Sequence, residues 1–148
     1  MSNIKALITR HEGDKLKPYK CPAGKNTIGR GWNFDANPLP TDIARYLQKH
    51  GEITQEMSDR LLDISISMAQ RYCFKLFPGF LTFTPDRQNA LTDWMFNVGI
   101  GTALQFKNTI KAVNEKRWDD AAEGLKHSLW YKQVGNRGPE IVGMVKEG

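Results

Sequence analysis

His11-Glu12-Gly13-Asp14-Lys15-Leu16-Lys17-Pro18-Tyr19-Lys20-Cys21-Pro22-Ala23-Gly24-Lys25-Asn26-Thr27-Ile28-Gly29-Arg30-Gly31-Trp32 is the stretch whose reading decides the fold. Just before it, Ile4, Leu7 and Ile8 fall at i, i+3 and i+4, the spacing of one buried helical stripe, and Ser2 is the expected cap. Gly13 supplies the permissive position just past a helix end, which places Glu12 in the last turn. There the helix dipole disfavours negative charge, a setting that suits a proton donor. A solvated glutamate at a helix end is the plainer alternative. From Leu16 to Trp32 the pattern turns strand-like, with Pro22 to Asn26 as a hairpin turn. Alternation sets Thr27, Gly29 and Gly31 on one face and Ile28, Arg30 and Trp32 on the other. A face of one hydroxyl and two glycines admits close approach to the backbone, or is simply a glycine-weakened edge strand.

Downstream, the chain reads as helices. After a loop over 33–40, Thr41 is expected to cap a short helix to about His50, closed by Gly51. Thr54 then caps a long helix in which Met57, Leu61, Ile64, Met68 and Tyr72 form the stripe, ending before Pro78-Gly79. At roughly 30 Å such a helix either joins two lobes or is a core helix of one domain. Thr84-Pro85-Asp86 is a strong helix start, and Ala90, Leu91, Trp94, Met95 and Val98 give that helix a broad apolar face. Gly99 and Gly101 stop it. Shorter helices follow, and the last is expected to open with Pro139 at its first position.

Composition bounds the partners. The chain has 148 residues and a formal charge of +5, which favours a polyanion such as nucleic acid, anionic lipid or bacterial wall. Its Lys and Arg residues are scattered, and no zinc-finger, homeodomain or RNA-binding signature occurs, so nucleic acid is not expected. Two cysteines make no disulfide framework: Cys73 sits in an apolar helical pattern and reads as a core thiol, whereas Cys21 lies in a polar turn. The first ten residues lack the apolar run of a signal peptide or membrane span, so accumulation in the cytoplasm is expected.

The spacing Glu12-x8-Cys21-x5-Thr27, followed by Ile28-Gly29-Arg30-Gly31, resembles the signature of the phage-type lysozymes, glycoside hydrolase family 24, of the T-even kind. Phe96-Asn97-Val98-Gly99, Phe106-Lys107-Asn108-Thr109, Lys116-Arg117-Trp118-Asp119-Asp120-Ala121-Ala122 and Trp130-Tyr131-x-Gln133-x-x-Asn136-Arg137 are similar to that family in the same order. The resemblance implies an α+β fold: a small hairpin lobe over about 12–56, a connecting helix over about 54–76, and a helical lobe over about 80–148 together with helix 2–12. It implies a muramidase that hydrolyses the β-1,4 bond between N-acetylmuramic acid and N-acetylglucosamine in peptidoglycan. In that scheme Glu12 is the general acid, Thr27 helps hold the attacking water, and Cys21 stands where the family more often has Asp. As thiolate, Cys21 either activates water or attacks the anomeric carbon. Asn33, Phe96 and Thr109 match substrate-binding positions, with Asn97 beside them as a further candidate, and Arg137 matches an arginine that approaches the acid.

Three positions depart from the T-even pattern: Trp32 replaces a histidine, Ser65 its acidic partner, and Gly124 an asparagine. The resemblance implies no metal or organic cofactor, no stable membrane insertion and a monomer. It further implies an endolysin that reaches the wall when a holin permeabilises the inner membrane of the host. A lytic transglycosylase acting on the same bond, and a non-catalytic peptidoglycan-binding module, are the rival expectations.

Overall fold

Residues 3–148 are described by the structure, a computed structural model. Ser2, the expected cap of the first helix, lies outside the described residues. Helix α1, Ile4–Glu12, ends where its glycine dictates: Gly13 takes a φ of 73° and returns its N–H to the Thr9 carbonyl at 2.8 Å. A residue carrying Cβ resists that left-handed closure, so Glu12 is fixed as the last helical residue.

Strands β1 (Lys15–Lys20), β2 (Asn26–Gly29) and β3 (Trp32–Asn33) then form one antiparallel sheet in chain order. Tyr19 lies opposite Thr27, and Thr27 opposite Asn33. The register of β1 slips between Lys15 and Tyr19, the stretch that holds Pro18, which has no N–H for the ladder. The first turn spans residues 21–25 and is closed by Cys21 N–H to the Lys25 carbonyl at 3.0 Å and Gly24 N–H to the Cys21 carbonyl at 2.8 Å. The alternation expected through Trp32 stops at Gly29. Gly29 and Gly31 have φ values of 66° and 77°, so residues 29–31 turn the chain into β3. Nor is the small-residue face open. A Cβ on Gly29 would lie 3.2 Å from Ser58 Oγ, and one on Gly31 would lie 2.7 Å from Glu12 Oε1. The close approach is made by the protein's own side chains.

Helix α2 (Thr41–His50) closes on Gly51 as expected, but Thr41 is its first helical residue and Pro40 occupies the cap position. Helix α3 (Gln55–Leu76) does begin under a threonine cap, with Met57 N–H donating to Thr54 Oγ1 at 3.1 Å. Its 22 residues span about 33 Å. The buried stripe of α3 is Ser58, Leu62, Ile66, Ala69 and Cys73 with Leu61, whereas Ile64 and Met68 are exposed. This helix is apolar on two sides, and the side with small residues is the one that packs closely.

The described chain divides into two compact units, residues 5–66 and residues 67–148 with the start of α1; α3 runs from one into the other. In the first, Ile28, Ile43, Ile53 and Leu61 form the core, ringed by Leu16, Trp32, Phe34, Leu39, Leu47 and Met57. The second is built on α4 (Pro85–Ala103), which is capped by Thr84 and has Pro85 at its first position. Six consecutive residues of α4, Ala90 to Met95, are buried, so neighbours surround it on every side. Gly99, at φ 78° and ψ 162°, breaks its helical course. Helices α5 (Lys107–Asn114), α6 (Trp118–Lys126), α7 (Leu129–Gln133) and α8 (Arg137–Glu147) complete the unit. Pro139 is the third residue of α8 rather than its first, which is tolerated because first-turn N–H groups have no acceptor within the helix. Arg87 stacks on Trp118 at 4.3 Å and donates to the Val145 and Lys146 carbonyls, closing the far end of α8. Eight helices and one small antiparallel sheet, among the described residues, make the α+β fold that the sequence implied.

Candidate active site

Four of the residues singled out by sequence, Glu12, Cys21, Thr27 and Asn33, lie in the unit of residues 5–66. Glu12 faces the backbone of Gly31, whose φ of 77° favours glycine and where an added Cβ would displace the carboxylate. Asp14 and Arg30, close in sequence to that pair, join one polar cluster. Arg30 Nη1 donates to Ser58 Oγ at 2.9 Å and to Asp59 Oδ1 at 2.6 Å, while its Nε faces Asp14 Oδ2 at 3.5 Å. Ser58 Oγ donates to Asp14 Oδ1 at 2.7 Å, and Gln55 Nε2 to Asp14 Oδ2 at 2.8 Å. Hydrogen bonding to Arg30, then to Gln55, holds the Asp59 carboxyl below its ordinary range.

Cys21 opens the β1–β2 turn and is half-buried. The Lys25 N–H is the main influence on its thiol, with the Ala23 N–H, the Thr27 hydroxyl and its own N–H also favouring the anion; together they outweigh partial desolvation and lower its pKa. Thr27 is 2% exposed, and its hydroxyl donates to the Lys25 carbonyl at 2.9 Å. A hydroxyl carries one proton, so donation to the sulfur and to that carbonyl alternate. Tyr19, which no motif pointed to, belongs to the same group. Burial raises its phenol pKa most, and the negative charges of Glu12 and Cys21 raise it further. Strand periodicity held the signal: Tyr19 precedes Cys21 by two residues and pairs with Thr27.

The Oδ1 of Asn33 accepts from the N–H groups of Asp35 at 3.0 Å and Ala36 at 3.1 Å. Its carboxamide thereby shapes the loop after β3, as Asn side chains do in turns.

The remaining four belong to the other unit. Asn97 and Thr109 line a groove of about 900 Å3 together with Phe106, Gly124, Trp130 and Gln133; Phe96 and Arg137 do not line it. Trp130 Nε1 donates to Asn97 Oδ1 at 2.7 Å, and because indole is a donor only, the amide nitrogen of Asn97 stays available to donate. Gly124 has a steric reason: a Cβ there would sit 2.3 Å from Thr109 Oγ1. Arg137, the first residue of α8, donates from Nε to Asp93 Oδ1 at 2.9 Å, with the two side chains 9% and 0% exposed. Burying such a charge demands a partner of this kind. Among the described residues, no group of three or more His, Cys, Asp or Glu side chains is set to hold a metal ion, and no helix is long and apolar enough to cross a membrane.

A family profile described as phage lysozyme matches residues 9–147. The chain is 27% identical over 164 residues to "Probable T4-type lysozyme 1" of Dictyostelium discoideum, covering 100% of this chain and 96% of that protein. It is 30% identical over 141 residues to "Endolysin" of Acyrthosiphon pisum secondary endosymbiont phage 1, covering 95% and 86%. A third similarity, 27% over 156 residues, is to "Pre-baseplate central spike protein Gp5" of Enterobacteria phage T4, of which it takes in 27%.

Proposed function

This chain belongs to the phage lysozyme family and is a lysozyme-type peptidoglycan hydrolase, and we propose that it cuts the β-1,4 bond between N-acetylmuramic acid and N-acetylglucosamine with Glu12 as general acid and Cys21 thiolate as general base. Glu12 protonates the departing glycosidic oxygen as the bond to the anomeric carbon breaks. Water, held by the Thr27 hydroxyl, adds to that carbon and gives its proton to the Cys21 sulfur, which inverts the configuration. One observation carries this reading: Glu12 closes α1 against the Gly31 backbone in the same unit as Cys21, whose anion is favoured by N–H donors, and the Tyr19 phenol, raised chiefly by burial, is raised further by the charges of both. Asn33, Phe96, Asn97, Thr109 and Arg137 are proposed on the substrate side, Asn97 offering its amide nitrogen to an N-acetyl or hydroxyl oxygen. The enzyme would act as a monomeric endolysin in host lysis. It would gather in the host cytoplasm and meet the wall once a holin has opened the inner membrane.

A half-exposed thiol disposed toward its anion is also a competent nucleophile, which supports a second route through a covalent glycosyl-enzyme and retention. Three variants assayed for wall clearing test the assignment. Glu12→Gln is expected to be inactive, Cys21→Ser strongly reduced and Cys21→Asp at least partly active. Full activity in Cys21→Ser would remove the thiol from the mechanism. The first-formed anomer, read by NMR, separates the routes: inversion supports the base, and retention with a trapped mass adduct on Cys21 replaces it by the nucleophile. A 1,6-anhydro product would reassign the chain as a lytic transglycosylase, and pelleting with walls without release of fragments would make it a binding module.

A further inference from the structure

Three consecutive residues from the end of β2 toward β3, Gly29, Arg30 and Gly31, each meet a different part of one cluster. A Cβ on Gly29 would press on Ser58 Oγ, Arg30 sends its guanidinium to Ser58, Asp59 and Asp14, and Gly31 abuts the Glu12 carboxylate. Asp14 follows Glu12 by two residues, across the left-handed Gly13, and accepts from Ser58 and Gln55 besides facing Arg30. These contacts close a ring: Glu12 to Asp14 along the chain, Asp14 to Arg30 through space, Arg30 to Gly31 along the chain, and Gly31 back to Glu12. All of it lies in the unit of residues 5–66. Ser58 is fully buried and the Arg30 side chain is 12% exposed, so water competes poorly for the bonds Ser58 makes with Arg30 and Asp14, while Asp59, 54% exposed, anchors the outer end of the guanidinium.

We propose that Arg30, clamped by Asp14, Ser58 and Asp59, is a positioning residue for the general acid: it holds the Gly31 turn and the Gly13 exit of α1 at a fixed separation, and so fixes where the Glu12 carboxylate stands. This rests on the reading of Glu12 as the acid. The ring needs a planar guanidinium, because a single group must reach Ser58 and Asp59 through Nη1 while turning Nε toward Asp14. Lysine keeps the charge and loses that fork. Since the cluster constrains the acid rather than the sugar, weakening it should slow the chemical step and leave substrate affinity alone.

The experiment compares kcat and KM on soluble, uncrosslinked glycan strands for the unaltered enzyme, Glu12→Gln, Arg30→Met, Arg30→Lys and Ser58→Ala, with circular dichroism to verify folding. Arg60→Met, which breaks only the exposed pair with Asp42, serves as control and should behave as the parent. Arg30→Met is expected to lose at least tenfold in kcat with KM within twofold, with Ser58→Ala and Arg30→Lys between it and the parent. Parental kcat in Arg30→Met, or a loss confined to KM, overturns the proposal. If Arg30→Met does not fold, Ser58→Ala and Arg30→Lys decide, and parental kcat in both overturns it. If Glu12→Gln keeps its activity, the assignment of the acid falls and the positioning role falls with it; an inactive Glu12→Gln beside a fully active, folded Arg30→Met sinks the positioning role alone.

Discussion

Cys21 gathers N–H donors within the tight β1–β2 turn. The Lys25 and Ala23 N–H groups and the Thr27 hydroxyl favour its anion over its thiol. An ordinary thiol, with a pKa near about 8.5, is mostly protonated at neutral pH, so a base role depends on this local field. The sign follows directly. A base works deprotonated, so clearing should fall as pH drops through the lowered thiol pKa, and the acid limb of the profile should sit below the ordinary thiol range. Cys21→Asp should carry that limb further down, toward carboxylate values, and an unmoved limb would detach it from residue 21. The positions of Glu12 and Cys21 were legible because a helix-stop glycine and a turn sequence announce their neighbours, whereas their proposed roles came from the family resemblance. The role of Arg30 was not legible: its contacts are with Ser58 and Asp59 on a later helix, and such pairings leave no local pattern.

Between elements, Cys73 on α3 places its thiol against the Leu91 carbonyl of α4 at 3.6 Å. Burial is the main cause that pushes this thiol up to about 12, against a reference of 9.0. Folding therefore favours the neutral form. That contribution is fully present below pH 9.0 and is lost as pH rises toward about 12. The slope is about 1.4 kcal/mol per pH unit, for a total on the order of 4 kcal/mol. Denaturant melts across this window should show the parent losing stability faster than Cys73→Ala, and parallel curves would refute the buried thiol. The same burial predicts that iodoacetamide labels Cys21 and spares Cys73. Element starts and stops were largely legible, since Gly13, Gly51, Thr54 and Thr84 act through bonds to their own neighbours. The face of α3 was not. Its apolar residues fall on two sides, and only packing chooses the stripe with Ser58, Ala69 and Cys73 over that with Ile64 and Met68.

At the scale of the whole molecule, the α+β class was legible because one strand-like segment stands among segments of helical period, while the groove at Asn97 and Thr109 arises only when four separate helical segments converge. Net charge is the other property of this scale. Several cations are already matched by exposed neighbours, Lys5 with Asp63, Arg60 with Asp42 and Arg117 with Glu115 and Asp120, and exposed pairs of this kind add little to stability. The excess of +5 is left to act at long range on an anionic wall. Screening shortens that range from about 30 Å at 0.01 M salt to about 3 Å at 1 M. Glu12→Gln, used as a non-cleaving probe, should therefore pelt out with walls at low salt and release steadily as salt rises. Clearing of whole walls by the parent should fall in parallel, while turnover of short, soluble glycan fragments, which carry few charges, falls far less. Binding indifferent to salt would assign wall affinity to the groove and its hydrogen bonds, and would leave the charge with no part in docking.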